Sequence, residues 1–357
     1  MKICVIGTVG VPATYGGFET LVENLIKKQL AEFYVYCSSK HYSQQIKEYN
    51  GAKLIYISLN ANGVSSIFYD FFSITHALLV GHRNFLILGV SGAIFFPIIK
   101  LFPGARLVTN LDGIEWKREK WRGFAKNFLK LSEYLAVKFS DVVVSDNASI
   151  TEYIKKKYKR DSRTIAYGGD HAIISPCSSK KLSNLGEELK YKYALSLCRI
   201  EPENNIHTIL DAFTRSELPL IFIGNWKSSE YGIKLYEHYK DFENIKLLMP
   251  IYCLDTLYIY RSLCAVYLHG HSAGGTNPSL VEMMHFSKPI IAYDCSFNRA
   301  SMENRGNYFL TSDDLYTKID DLDALETGNA LKEIASTRYT WDHIRTQYIN
   351  LFKTQRS

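Results

Sequence analysis

The stretch Lys2-Ile3-Cys4-Val5-Ile6-Gly7-Thr8-Val9-Gly10-Val11-Pro12-Ala13-Thr14-Tyr15-Gly16-Gly17-Phe18-Glu19 decides the fold class. Its first residues form a short apolar run that suits a buried strand. A glycine-rich loop follows, and then Phe18, Leu21, Val22, Leu25, Ile26 and Leu30 recur at helical spacing. The same grammar continues outward. Strands are expected at Phe33–Cys37, Lys53–Ile57, Phe85–Leu88, Arg106–Asn110 and Asp141–Ser145, and Ile67, Phe71, Ile74 and Leu78 mark another helix. Strands alternating with helices imply a parallel sheet covered on both faces.

The pattern weakens after Tyr167-Gly168-Gly169-Asp170, where the chain becomes rich in Ser, Lys and Gly. It restarts with expected strands at Tyr193–Leu197, Leu218–Ile223, Ile245–Met249, Ala265–His269 and Pro289–Ala292. A length of 357 residues suits two domains of similar size. The expected organisation is an α/β protein with two Rossmann-like, doubly wound domains facing a cleft. These are 1–170 and 193–338, joined by a linker at 171–192, and a last helix in 339–357 packs back towards the first domain.

Composition excludes several classes. With 46% hydrophobic and 22% charged residues the chain is globular rather than disordered or collagen-like. The seven cysteines show no CxxC and no paired spacing, which fits reduced thiols in a cytoplasmic protein. Lys2–Gly7 is too short an apolar run for an export signal. The longest uncharged apolar stretch, Phe85 to Ile99, contains Gly89, Gly92 and Pro97. It is shorter than the roughly 20 residues a spanning helix needs, and reads instead as a strand, a glycine turn and a short helix.

In doubly wound sheets, ligands sit at the carboxyl ends of the strands, where helix N-termini hold anions. The Gly7–Glu19 loop is neither a P-loop nor GxGxxG, and the second strand runs into Ser38-Ser39-Lys40 without the acid an NAD ribose requires. Its glycines serve either a phosphate approach or only a tight turn. The loop His269-Gly270-His271-Ser272-Ala273-Gly274-Gly275-Thr276-Asn277-Pro278-Ser279-Leu280-Val281-Glu282 is more specific. Asn277 is a good N-cap and Pro278 a good first helical residue. Gly274 and Gly275 let backbone N–H groups approach a diphosphate at the positive end of that helix. Glu282, about a turn in, is placed to accept from a ribose diol. His269 and His271 fit loop hydrogen bonding better than a metal, which needs more ligands than this loop offers. A third element, Arg199-Ile200-Glu201-Pro202-Glu203-Asn204-Asn205, puts an arginine at a strand end, suited to a bidentate phosphate contact.

Together these elements resemble the retaining nucleotide-sugar glycosyltransferases of the GT-B type, family 4. More narrowly they resemble its bacterial rhamnosyltransferase-like branch, with an N-terminal domain of the DUF1972 type. The resembling segments, in order along almost the whole chain, are Gly7–Asn24, Thr109–Trp121, Arg199–Asn205, Gly224–Gly232, His269–Glu282 and Tyr293–Arg299. The resemblance implies that Arg199 neutralises the donor diphosphate as it leaves and that Glu282 holds the nucleotide ribose. Gly274, Gly275, Thr276 and Asn277 would line the phosphate and sugar site, and Gly16 and Gly17 would reach the diphosphate from the first domain. Asp112 would face the reacting sugar and acceptor, and Glu115 either pairs with it in acid–base work or balances Lys117 and Arg118. Two departures stand out. The wider family has a glutamate where this chain has Gly274, and a lysine where it has Asn204 and Asn205; Lys227 and Arg299 are the candidates for a second cation. The implied chemistry needs no metal and no cofactor, and no catalytic triad is evident. The resemblance implies that the acceptor hydroxyl would attack from the face the diphosphate vacates and that a phosphate oxygen would take its proton.

The net charge of +6 divides unevenly: residues 1–170 hold 22 Lys+Arg against 14 Asp+Glu, and the remainder 20 against 22. One basic run is Trp116-Lys117-Arg118-Glu119-Lys120-Trp121-Arg122, and another is Lys155–Arg160. Tryptophans among cations suit either a peripheral membrane patch or a solvated helix face. The expectation is a protein peripheral on the inner face of a bacterial plasma membrane. It would use a nucleotide-sugar donor, most simply dTDP-L-rhamnose, and a polyprenyl-diphosphate-linked saccharide acceptor of surface-polysaccharide synthesis. A UDP- or GDP-linked donor, a sugar-nucleotide epimerase and a non-catalytic binding module are the alternatives. No nucleic-acid recognition motif is present.

Overall fold

The computed structural model describes residues 1–14, 16–117, 121–174 and 191–353. Backbone contacts divide the chain into Met1–Ala166 together with Trp341–Ser357, and Tyr167–Thr340. The first unit runs β1 (Lys2–Ile6), α1 (Gly17–Ile26), β2 (Glu32–Ser38), β3 (Glu48–Tyr49), β4 (Ala52–Ile57), α2 (Ser65–Leu79), β5 (Asn84–Leu88), a 3-10 turn at Ser91–Phe95, α3 (Phe96–Ile99), β6 (Arg106–Asn110), α4 (Gly123–Phe139), β7 (Val142–Ser145), α5 (Ala148–Tyr158) and β8 (Arg163–Thr164). Its sheet order is β3-β4-β2-β1-β5-β6-β7-β8, parallel except for the β3–β4 pair. Phe85–Ile99 is the strand, glycine turn and short helix that its glycines and Pro97 indicated. No helix among the described residues is long and apolar enough to cross a membrane.

The second unit runs β9 (Ala194–Leu197), α6 (Ile206–Phe213), β10 (Leu220–Ile223), α7 (Glu230–Tyr239), β11 (Ile245–Leu248), α8 (Leu254–Leu263), β12 (Val266–His269), α9 (Pro278–Met284), β13 (Ile290–Tyr293), α10 (Ser296–Ser301), β14 (Asn307–Phe309), α11 (Ser312–Asp320) and α12 (Asn329–Arg338). Its six strands lie in the order β11-β10-β9-β12-β13-β14, and every pair is parallel. Phe213, Phe222 and Trp226 are fully buried in its core, so the apolar strands are covered as their sequence required. The order reverses between β9 and β12, which makes their carboxyl ends the switch point of this sheet.

The last helix, α13 (Trp341–Lys353), packs on α1 of the first unit. Buried Arg345 donates from Nε and Nη2 to the Asn24 carbonyl at 3.0 and 2.8 Å, and buried Tyr348 accepts from Asn110 at 2.7 Å. Three short strands, β3, β8 and β14, had no signal of their own in the sequence. Two or three residues are too few to show a period.

Asp70 on α2 is fully buried, and its Oδ2 accepts from Ser91 at 2.6 Å. Burial raises its carboxyl to about 7, against an ordinary value of 3.8. The folded state therefore binds a proton that the unfolded state releases, and stability falls as pH rises between those two values. Wild-type protein should lose thermal stability from about pH 4 to pH 7 relative to Asp70→Asn, with the two alike at pH 3.5. Parallel melting curves over that window would refute the assignment.

Candidate functional site

Two loops meet at the carboxyl ends of β9 and β12. After β9 the chain enters Cys198-Arg199-Ile200-Glu201, with the Arg199 side chain exposed. Buried Asn204 donates to the Arg199 carbonyl at 2.7 Å, and Asn205, in a left-handed conformation (φ 47°), donates to the Gly270 carbonyl at 2.9 Å. Ser272 returns the contact, its N–H and Oγ reaching the Glu203 carbonyl at 3.0 and 2.8 Å. Asn204, which stands with Asn205 where the resembling family has a lysine, uses its amide to fix its own loop, and Asn205 braces that loop against the second. Gly270 is required there, because a Cβ would stand 2.1 Å from the Asn204 carbonyl oxygen.

The second loop then opens α9 as its sequence indicates. Asn277 Oδ1 accepts from the Ser279 N–H at 3.1 Å and Pro278 occupies the first turn. Thr276 is buried beside it. Gly274 has φ 114°, and a Cβ there would meet nothing within 4 Å, so the loop backbone is open at that point. Glu282 is held from two sides. Buried Arg261 of α8 donates to Oε2, and His171 lies 3.2 Å from Oε1. Burial alone would raise this carboxyl, but the Arg261 charge, helped by His171, holds it below the ordinary carboxylate range. Neither partner was anticipated. His171 follows the Tyr167-Gly168-Gly169-Asp170 segment read as the start of a linker, and Gly169 lets that segment lie against α9, where a Cβ would be 2.6 Å from the Val281 oxygen.

His269 is buried, stacked on His271 at 4.4 Å, and burial pushes its pKa down to about 3. No three His, Cys, Asp or Glu side chains converge as a metal set among the described residues. Of the two candidate second cations, Lys227 is exposed. Arg299 is committed to Asp294, with Nη2 to Oδ2 at 2.7 Å, and lies 4.3 Å over the Tyr308 ring.

In the first unit, the glycine loop is anchored by carboxylates of the helix it opens. Glu19 Oε1 accepts from the Thr8 hydroxyl and the Val9 N–H, both at 2.9 Å, and Glu23 Oε2 accepts from the Ala13 N–H at 2.6 Å. Gly16 has φ 108° and Gly17 begins α1. A Cβ at Gly16 would stand 2.1 Å from Glu19 Oε2. Asp112 follows β6 with φ 55°, its N–H donating to Asn110 Oδ1 at 3.0 Å.

The tryptophans of the basic run are each tied to a glutamate. The Trp116 indole N–H donates to buried Glu133 at 3.0 Å, and that of Trp121 donates to Glu115 at 2.8 Å. Glu115 thus anchors an indole instead of pairing only with its charged neighbours. Lys117 and Arg122 are exposed, and Arg118 and Lys120 lie outside the described residues. In the second run, Arg160 donates to the Lys138 carbonyl at 2.8 Å and so serves the end of α4.

The comparisons with known proteins decide the class. Residues 1–170 match the model of a domain of unknown function, DUF1972, and residues 179–326 match that of glycosyl transferases group 1. The fold is shared with sucrose-phosphate synthase from Thermosynechococcus elongatus, at a TM-score of 0.81 and 14% identity over 99% of this chain and 98% of that one. It is shared too with Anabaena HepE, whose structure was solved with UDP-glucose, at a TM-score of 0.74 and 18% identity over 99% of this chain and all of the other. The chain has the GT-B fold, and its second half carries a glycosyl transferases group 1 domain. No curated protein matches it in sequence.

In the second unit, the Arg261–Glu282 pair is a largely buried ion pair. Arg261→Met leaves a buried carboxylate with His171 alone, which should destabilise by about 3–5 kcal/mol. Adding Glu282→Met should restore most of the loss, since an apolar pair has no charge left to desolvate. Chemical denaturation of the four proteins checks this; an Arg261→Met protein as stable as wild type would refute it.

Proposed function

We propose that the protein is a retaining glycosyltransferase that moves a sugar, L-rhamnose from dTDP-L-rhamnose, onto a polyprenyl-diphosphate-linked saccharide in bacterial surface-polysaccharide synthesis. The observation that carries the donor half is the pair of loops braced together at the β9–β12 switch point. One ends in exposed Arg199, and the other opens at Gly274 and leads into α9. The solved HepE complexes with UDP and UDP-glucose support a nucleotide sugar as donor for this fold.

In this reading Arg199 neutralises the β-phosphate as the anomeric C–O bond breaks. The acceptor hydroxyl oxygen bonds to that carbon on the same face, and its proton passes to the departing phosphate oxygen. The demand is charge stabilisation by groups already in place, not a strong nucleophile. Glu282, kept ionised by Arg261 and His171, accepts from the nucleotide ribose. Backbone groups from Gly274 to Asn277 line the diphosphate and sugar. Asp112 faces the acceptor. The reaction is metal-independent in this proposal, because arginine and oriented backbone N–H groups carry the charge compensation. The enzyme works on the inner face of the plasma membrane, where its acceptor resides.

The test is turnover of purified protein with dTDP-L-rhamnose, UDP-glucose and GDP-sugars on a polyprenyl-diphosphate GlcNAc acceptor, with EDTA present and absent. Transfer from dTDP-L-rhamnose with retention at the anomeric carbon is expected. Arg199→Ala should lower kcat about 100- to 1,000-fold, the range for loss of one charge-stabilising donor. Transfer only from another donor would refute the sugar assignment, and consumption of nucleotide sugar without any acceptor would mark an epimerase.

A further inference from the structure

Right-handed crossovers fix which helices share a face of the first sheet. The chain steps from β1 outward to β2 through α1, then crosses back from β4 to β5 and continues in that direction to β8. Hence α1 lies on one face, with α13 on it, and α2, α3, α4 and α5 lie on the other. Helix α2, the Ser91–Phe95 turn with α3, and α4 pack side by side there.

The outer surface of that layer is apolar. Phe68, Phe72 and Leu79 on α2, Leu101 after α3, and Phe124 and Leu131 on α4 are all exposed, with Phe124 at 85%, Leu79 at 80% and Leu101 at 78%. A solvated helix layer would present charge of both signs here. Instead, residues 64–104 and α4 contain two carboxylates in all, Asp70 and Glu133, and both are buried. The surface therefore exposes large apolar side chains with no acidic residue among them.

Cations collect at its edge. The ammonium groups of Lys117, Lys126, Lys130 and Lys157 lie 5.8, 5.9, 4.9 and 4.9 Å from the centroid of the one Trp116 ring. Glu133 binds that indole and Lys157, and is the one carboxylate of α4. Four like charges round one ring repel one another, and Glu133 pairs with Lys157 among them. An extended anionic surface relieves that repulsion.

We propose that the α2–α3–α4 layer docks on an anionic lipid bilayer. Phe68, Phe72, Leu79, Leu101, Phe124 and Leu131 enter the acyl boundary, and the lysines round Trp116 meet headgroup phosphates. This rests on the membrane location in the proposed function, but it assigns insertion to side chains outside the Trp116–Arg122 run. Trp116 itself organises the lysines.

Co-sedimentation of the full chain with phosphatidylcholine vesicles, with and without 30% phosphatidylglycerol and with neither donor nor acceptor present, tests it. Binding to the anionic vesicles is expected, weakening as salt rises. Lys126→Glu/Lys130→Glu should weaken the partition constant more than 20-fold, at roughly fivefold or more per lysine. Phe68→Ser/Phe124→Ser should abolish detectable binding. Both variants should keep the wild-type melting temperature and its shift with nucleotide sugar. Equal binding to both vesicle types, no binding by folded wild type, or unaltered binding by both variants would overturn the proposal. So would a dimer that the phenylalanine variant dissociates while vesicles remain unbound, since the layer would then cover a second copy. Docking without transfer to the lipid-linked acceptor would refute the acceptor while leaving the docking face standing; transfer in detergent without docking would do the reverse.

Discussion

Adjacent parallel strands end at the same edge of a sheet, and the second unit depends on that constraint at β9 and β12. Their register sets Ala194 beside Val266 and Ser196 beside Leu268, and the Ser196 hydroxyl donates to the Leu268 carbonyl at 3.1 Å. Loops leaving neighbouring strand ends can therefore share hydrogen bonds without long excursions. Asn205 and Ser272 supply them, and backbone groups that would otherwise need water are satisfied. Arg199 and Gly274 inherit their places from this framework.

Buried carboxylates perform a related task elsewhere. Glu19 reaches back from α1 to hold its own glycine loop, Glu133 gathers Trp116, Tyr153 and Lys157 between α4 and α5, and Glu282 ties α9 to Arg261 and His171. Each accepts several donors, which is what makes a buried charge tolerable. Each also links segments that the strands alone do not position. Glu282 differs in being partly accessible, so the bonds that fix its orientation leave some of its carboxylate at the surface.

Much of the fold was legible because the alternation of short apolar runs with helical periods is a local signal. The N-cap at Asn277 was legible for the same reason: it needs only Asn, Pro and an apolar helix in order. Partners distant in sequence were not. Arg261 is 21 residues from Glu282, and His171 is further still, in a segment whose glycines and polar residues imitate a linker. Asn205 shows a contact of the same long-range kind. An amide beside a strand-end arginine suits a ligand or a loop carbonyl equally, and the bond to the Gly270 carbonyl appears only once the second loop is in place.

The charge asymmetry shows how composition is reshaped by folding. Several cations of residues 1–170 are spent internally: Arg160 on the end of α4, Lys53 on Glu32, and Lys100 on Asp141. The acids are unevenly placed as well, since the α2–α4 layer keeps its two inside. A local excess thus arises from where carboxylates are buried as much as from how many lysines the segment contains. Around Trp116 that excess adjoins the exposed apolar face, whereas the tryptophans that drew attention in the sequence are tied to glutamates. That run thus contributes Trp116 and Lys117 to the charged edge, and Lys126, Lys130 and Lys157 complete it from α4 and α5. The apolar side chains come from residues on either side of the run in sequence.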